Sequence, residues 1–179
     1  MRTLIIIMMV LVTPPMVAPS PAPEWKGIDI EKLNREKPVV VKDYYLFLND
    51  LGHQESGNRY NIVNRFGYMG RFQFGKATLR TLKIKVDRET FLNNPQLQDY
   101  AMHKLLCYNK NKLKYYIDNF EGQTVHGILV TESGLLAAAH LGGQGSVKKW
   151  FKTGKVRQDG NGVKITSYMV KFSGYDLGI

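Results

Sequence analysis

Six of the seven prolines lie between residues 14 and 38, and the seventh is Pro95. Proline removes a backbone donor and clashes with the preceding helical turn, so this distribution divides the chain. Residues 13–40, with Pro14, Pro15, Pro19, Pro21, Pro23 and Pro38, read as a semi-extended, poorly packing stretch. Past residue 41 only Pro95 interrupts the pattern, which leaves room for long helices. A chain of 179 residues reads as one domain that can bury a core without staples. The composition is globular, with 44% hydrophobic and 22% charged residues. Cys107 is the only cysteine, so no internal disulfide is available and packing alone must hold the fold. Its place within a helical pattern, with no nucleophile's partners near in sequence, assigns it to the core.

The N-terminus "MRTLIIIMMVLV" has one positive charge and then an apolar run from Thr3 to Val12. That run is too short to span a bilayer and has the n-region and h-region of a secretory signal. Ala18, Ser20 and Ala22 are small enough for cleavage, but each precedes a proline, so removal and retention as an anchor both stay open. The organisation expected is a signal peptide or N-terminal anchor at 1–22, a linker at 23–41 and one folded domain at 42–179. Export to the periplasm or cell envelope, or secretion, follows, with membrane contact only through an uncleaved N-terminal segment. The net charge of +10 favours a polyanionic partner, whether nucleic acid, acidic lipid or an anionic wall polymer. Its basic residues are scattered, without the tail, stripe or stacking motif of a nucleic-acid binder, so no nucleic acid is expected.

Behind Asp43, the residues Tyr44, Tyr45, Leu48 and Leu51 or Gly52 recur at helical spacing. They predict a helix to about Glu55, ending in a loop opened by Gly57. "GKATLRTLKI" predicts a short helix. A longer one starts with Asn94 as cap and Pro95 in its first turn, burying Leu97, Ala101, Leu105 and Tyr108. "TESGLLAAAHLGG" is a helix capped by Thr131 and ended by Gly142 and Gly143. "DGNG" at 159–162 has the residues of a tight hairpin turn, and "KITSYMVKF" follows as a strand or helix. The fold class expected is α+β, mainly α-helical, with at most a small hairpin.

One carboxylate stands out. In "HQESGNRYNIVNRFGYMGRFQFGKAT", Glu55 ends an apolar helical pattern and precedes a polar, glycine-rich loop. The negative end of a helix dipole favours a protonated carboxyl, and burial among aromatic residues acts in the same direction. A carboxyl protonated near neutral pH is what protonating a glycosidic oxygen requires. A second Glu-Ser-Gly begins at Glu132, but Glu132 follows a cap in the first turn of its helix, where the dipole favours the ionised form. It reads as a helix-start residue. "DGNG" lacks the remaining ligands of a calcium loop, and His53, His103, His126 and His140 have no metal-ligand spacing, so neither a metal nor a cofactor is expected.

"ESG" at 55–57 resembles the catalytic Glu-Ser of the lytic transglycosylases and goose-type lysozymes. "GRFQFGKAT" is similar to that family's Gly-Leu-Met-Gln motif and its Ala-Thr sequel: Gly70, Gln73, Ala77 and Thr78 match, while Arg71 and Phe72 replace Leu and Met. "AAHLGGQGSVKKW" resembles the Ala-Ala-Tyr-Asn-Ala-Gly stretch through Ala138, Ala139, Gly143, Gly145, Val147 and Trp150. His140 and Leu141 stand in the places of Tyr and Asn, and the loss of the Asn removes an amide from the expected cleft. "TSYMVKF" resembles the late Tyr-Val segment and puts Tyr168 on the substrate-contacting tyrosine.

The resemblance implies a lysozyme-like two-lobed domain with a central cleft over 42–179, acting as a monomer on peptidoglycan glycan strands. Glu55 would be the single catalytic acid and base, cleaving the bond from N-acetylmuramic acid to N-acetylglucosamine with a 1,6-anhydro product. Ser56, supporting the Glu55 carboxyl through its hydroxyl, and Gln73, His140 and Tyr168 would contact substrate. Gln73 can both donate to and accept from an N-acetyl group. Two rivals stay open. A hydrolytic muramidase would need a second carboxylate, with Asp43, Asp50 and Glu132 as candidates. A non-catalytic wall-binding module would explain Leu141.

Overall fold

The structure, a computed structural model, describes residues 41–179. The expected export segment and the expected linker up to residue 40 lie outside the described residues. The described chain is mainly helical: α1 (Tyr44–Ser56), α2 (Lys76–Thr81), α3 (Arg88–Leu92), α4 (Pro95–Phe120), α5 (Glu132–Gly142), α6 (Gln144–Thr153) and α7 (Ile165–Lys171). A two-stranded antiparallel sheet, β1 (Thr124–Val125) and β2 (Ile128–Leu129), sits between α4 and α5, with Val125 opposite Ile128. No helix among the described residues is long and apolar enough to cross a membrane.

The caps fall where the side chains call for them. Asp43 accepts from Leu46 N at 2.8 Å, and Asn94 accepts from Leu97 N at 2.9 Å ahead of Pro95. Thr131 accepts from Gly134 N, and Gly57 ends α1 at φ 65°. Helix α3 is one the hydrophobic pattern does not announce. Its five residues form because Asp87 accepts from both the Thr90 N–H and the Thr90 hydroxyl.

Several expectations are corrected. The hairpin lies at 124–129, turned by His126 and Gly127, both at positive φ, rather than at "DGNG". "DGNG" is a turn, fastened by Asp159 Oδ1 accepting from Asn161 N and Val163 N and by one bridge between Gln158 and Lys164. The final segment is a helix, α7. Tyr45 is 79% exposed; α1 buries Leu48 and Leu51 as expected, with Phe47 rather than Tyr45 among them and Tyr44 beside them. On α4 the buried line is Gln98, Ala101, Met102, Leu105, Leu106, Asn109, Leu113 and Ile117, so Leu97 and Tyr108 only flank it. Cys107 is exposed, with Sγ 3.6 Å from His103 Nε2, and is not a core residue.

Helix α5 is the centre of the fold. Its residues Ser133 to Ala139 are all buried, as expected of a helix apolar on every side. It packs on α4, α6 and α7. A Cβ at Gly134 would meet the Met169 carbonyl oxygen at 2.5 Å, so α7 crosses at a distance only glycine permits. The Ser133 hydroxyl accepts from Tyr175 N, and Glu132 pairs with Lys110 at 2.9 Å. The second Glu-Ser-Gly is therefore packing and pairing. Its glutamate starts the helix as expected.

The long loop from 57 to 75 is held by one buried amide. Gln98 Oε1 accepts from Arg71 N at 2.8 Å, while Nε2 donates to Phe91 O at 2.8 Å and Tyr60 O at 3.0 Å. Gly70, at φ 74°, passes so close that a Cβ would lie 2.0 Å from Gln98 Oε1. Arg71 extends the anchor: it donates to Asn58 Oδ1, the Tyr60 hydroxyl, Leu48 O and Asp99, its guanidinium lying over Gly52. Replacing Gln98 by leucine would keep the volume but strand the Arg71 N–H and the Tyr60 carbonyl, while Phe91 O would still accept from Asn94 N. An unsatisfied buried group costs about 1–3 kcal/mol. We expect Gln98→Leu to lose roughly 2–4 kcal/mol in denaturant unfolding, and an unchanged midpoint would remove the amide from this anchoring role.

Candidate active site

Glu55 occupies the last turn of α1, with its side chain 13% exposed. Two residues remote in sequence converge on the same oxygen. The Tyr168 hydroxyl on α7 donates to Oε1 at 2.7 Å, and His140 Nε2, near the end of α5, lies 3.5 Å from Oε1. Oε2 has no hydrogen-bond partner among the described residues. The His140 side chain is 7% exposed, and its ring meets Phe74 edge-on with centroids 6.2 Å apart. His140 Nδ1 is buried without a partner among the described residues, so the tautomer with hydrogen on Nε2, aimed at Glu55, suits the site.

These groups face a cleft of about 350 Å³. Leu105 and Phe74 give it apolar wall, and Gln73, Asn64, Thr78, Tyr68 and Asn161 give it amides and hydroxyls. Gln73 adopts φ 52°, a left-handed conformation uncommon for a side-chain-bearing residue. Its Nε2 donates to Gly70 O at 2.8 Å, which fixes the amide and leaves Oε1 and one N–H for a ligand. Leu141 also borders the cleft, so the apolar residue expected to replace an amide does stand there.

Four of the five expected site residues, Glu55, Gln73, His140 and Tyr168, share this cleft. Ser56 does not. It is buried, donates to Arg71 O at 2.8 Å and accepts from Arg59 N at 3.0 Å, so its hydroxyl ties down the loop rather than supporting the Glu55 carboxyl. Nor do the three acids considered as second carboxylates border the cleft. Asp43 caps α1, Asp50 accepts from Tyr175, and Glu132 pairs with Lys110. Asp159 does border it. Sequence reasoning took "DGNG" for its turn alone, and only the return of α7 beside α5 carries that turn to Glu55's cleft. Among the described residues no three His, Cys, Asp or Glu side chains cluster to hold a metal.

Burial holds the Tyr168 phenol far above the ordinary tyrosine range, and the charge of the bonded Glu55 carboxylate adds to it. Burial likewise pushes Tyr44 and Tyr175 up to about 12. In the unfolded chain a phenol ionises near 10, so above that pH the folded state binds more protons than the unfolded one. The stability these groups contribute is complete below pH 10 and is lost as pH rises past it. Tyr168→Phe removes one such group. Its denaturant midpoint should fall less steeply than the wild type's above about pH 10, and parallel slopes would mean that the phenol is not held neutral by the fold.

No family model, curated protein or solved structure matches this chain.

Proposed function

We propose that the chain is a peptidoglycan lytic transglycosylase with a lysozyme-like, two-lobed fold, cleaving the β-1,4 bond from N-acetylmuramic acid to N-acetylglucosamine. One observation carries the reading: Glu55 is held through Oε1 by the Tyr168 hydroxyl, with His140 Nε2 3.5 Å from the same oxygen, while Oε2 has no protein partner among the described residues at a sugar-sized polar cleft. A carboxyl held by one oxygen presents the other in a fixed direction, as a single acid and base must. Protonated Glu55 gives its proton from Oε2 to the glycosidic oxygen as the bond to C1 breaks. The Glu55 carboxylate then takes the proton from the muramoyl 6-hydroxyl, whose oxygen closes on C1 as a 1,6-anhydro ring. The proton Glu55 gave is restored, and no water is consumed.

Gln73, with a free amide oxygen and N–H, suits an N-acetyl group, and the half-exposed aromatic rings of the cleft suit sugar faces. The four motifs in family order support the same reading, and a net charge of +10 suits binding to an anionic wall. Asp159 favours one alternative. A second carboxylate bordering the cleft that oriented a water would make the chain a hydrolytic muramidase of the same fold.

Glu55→Gln keeps the side chain's size but cannot carry the proton. It should lower wall cleavage by about 10²–10⁴-fold, the usual loss for a general acid, with wall binding retained. Near-normal turnover would remove Glu55 from the chemistry. Product analysis in heavy-oxygen water separates the two reactions. Intramolecular attack can reach an effective molarity of roughly 10⁵–10⁸ M, enough to outrun water, so anhydromuramic ends without heavy oxygen are expected. They should persist in Asp159→Asn. Reducing ends carrying heavy oxygen, lost in Asp159→Asn, would establish the muramidase.

A further inference from the structure

Beside the cleft is a second, shallower depression bordered by Phe66, Tyr68, Gly75, Lys76 and Arg88. Phe66, Tyr68 and Gly75 border both hollows, so the two are continuous across a pair of aromatic rings. Those rings are 51% and 45% exposed, yet both are supported. The Arg65 guanidinium lies 4.7 Å from the Phe66 ring centroid, and Arg65 is itself held by Asn161 Oδ1 at 2.9 Å. The far edge of Phe66 rests on Gly160. Tyr68 packs on Gly75, where a Cβ would come within 3.0 Å of the ring.

The two hollows differ in charge. Among the described residues, the main cleft is bordered by Glu55 and Asp159 and by no lysine or arginine. The second hollow is bordered, among the described residues, by Lys76 and Arg88 and by no carboxylate. Both cations are exposed, and neither pairs with a described acid. Asp87, beside Arg88, is turned to Thr90. A ligand that fills both hollows is therefore neutral and hydrogen-bonding where it meets Glu55, and anionic where it passes the aromatic pair. Lysine and arginine bind carboxylates and phosphates, and arginine can meet a carboxylate with two bonds.

We propose that this depression binds the carboxylate-bearing peptide stem of a muramoyl residue whose sugar lies in the main cleft. The proposal rests on the peptidoglycan reading above and adds a preference for stem-bearing over stem-free strands. Phe66 and Tyr68 form the ridge over which the stem leaves the glycan, and Lys76 and Arg88 meet its carboxylates. Exposed ion pairs are weak and screened by salt, so the preference should be moderate and should fade as salt rises.

The test compares soluble glycan fragments with and without peptide stems, by binding to the full-length Glu55→Gln protein and by cleavage with the active one. Binding should be about tenfold tighter with stems. Adding Lys76→Ala and Arg88→Ala should bring the two affinities together, with the same loss of preference in kcat/KM. Equal binding of both fragments before those changes, or a preference that survives them, overturns the proposal. Stem-dependent binding with no cleavage by the active protein would leave this subsite standing and remove the transglycosylase. Binding of neither fragment overturns both.

Discussion

The cleft exists because one amide is buried in the right place. Gln98 projects from the first turns of α4 and is wholly inaccessible. With three hydrogen bonds it joins the loop at Tyr60 and Arg71 to the end of α3 at Phe91. An unpaired amide there would cost more than the bonds gain, so the arrangement is close to all-or-none. Gly70 is glycine because the loop must touch that amide, and Arg71 then spreads its donors over α1, the loop and Asp99. The cleft wall at Gln73 and Phe74 hangs from this knot.

The Glu55 carboxyl depends on a second convergence. Glu55, His140 and Tyr168 come from α1, α5 and α7, and they meet because α5 is buried all round. Gly134 lets α7 lie on α5, which brings Tyr168 within reach of α1. Val147 and Trp150 of the third motif are wholly buried and serve that packing, not the cleft.

Much of this was legible along the chain because the signals are local. Caps at Asp43, Asn94 and Thr131 and the stop at Gly57 follow from side chains a few residues away. Glu55, Gln73, His140 and Tyr168 were found through motif order, and they do share a cleft. What was missed is non-local or weakly marked. Ser56 sits beside Glu55 in sequence, but successive helical residues point apart, and its hydroxyl serves the loop. Asp159 looks like turn chemistry and is that, until tertiary packing places it on the cleft. "VHGI" carries a hairpin without the usual Asn-Gly, and helical spacing alone could not decide that Tyr45 and Cys107 face water.

Gln73 shows what such a site means for the evolution and engineering of the chain. Its backbone occupies a conformation in which glycine would be at ease and glutamine is strained. A search guided by thermal robustness alone would drift toward glycine at this position and discard the amide that faces the cleft. The two demands pull on the same residue in opposite directions: glycine would relax the loop, and only a side chain such as glutamine gives the cleft its amide.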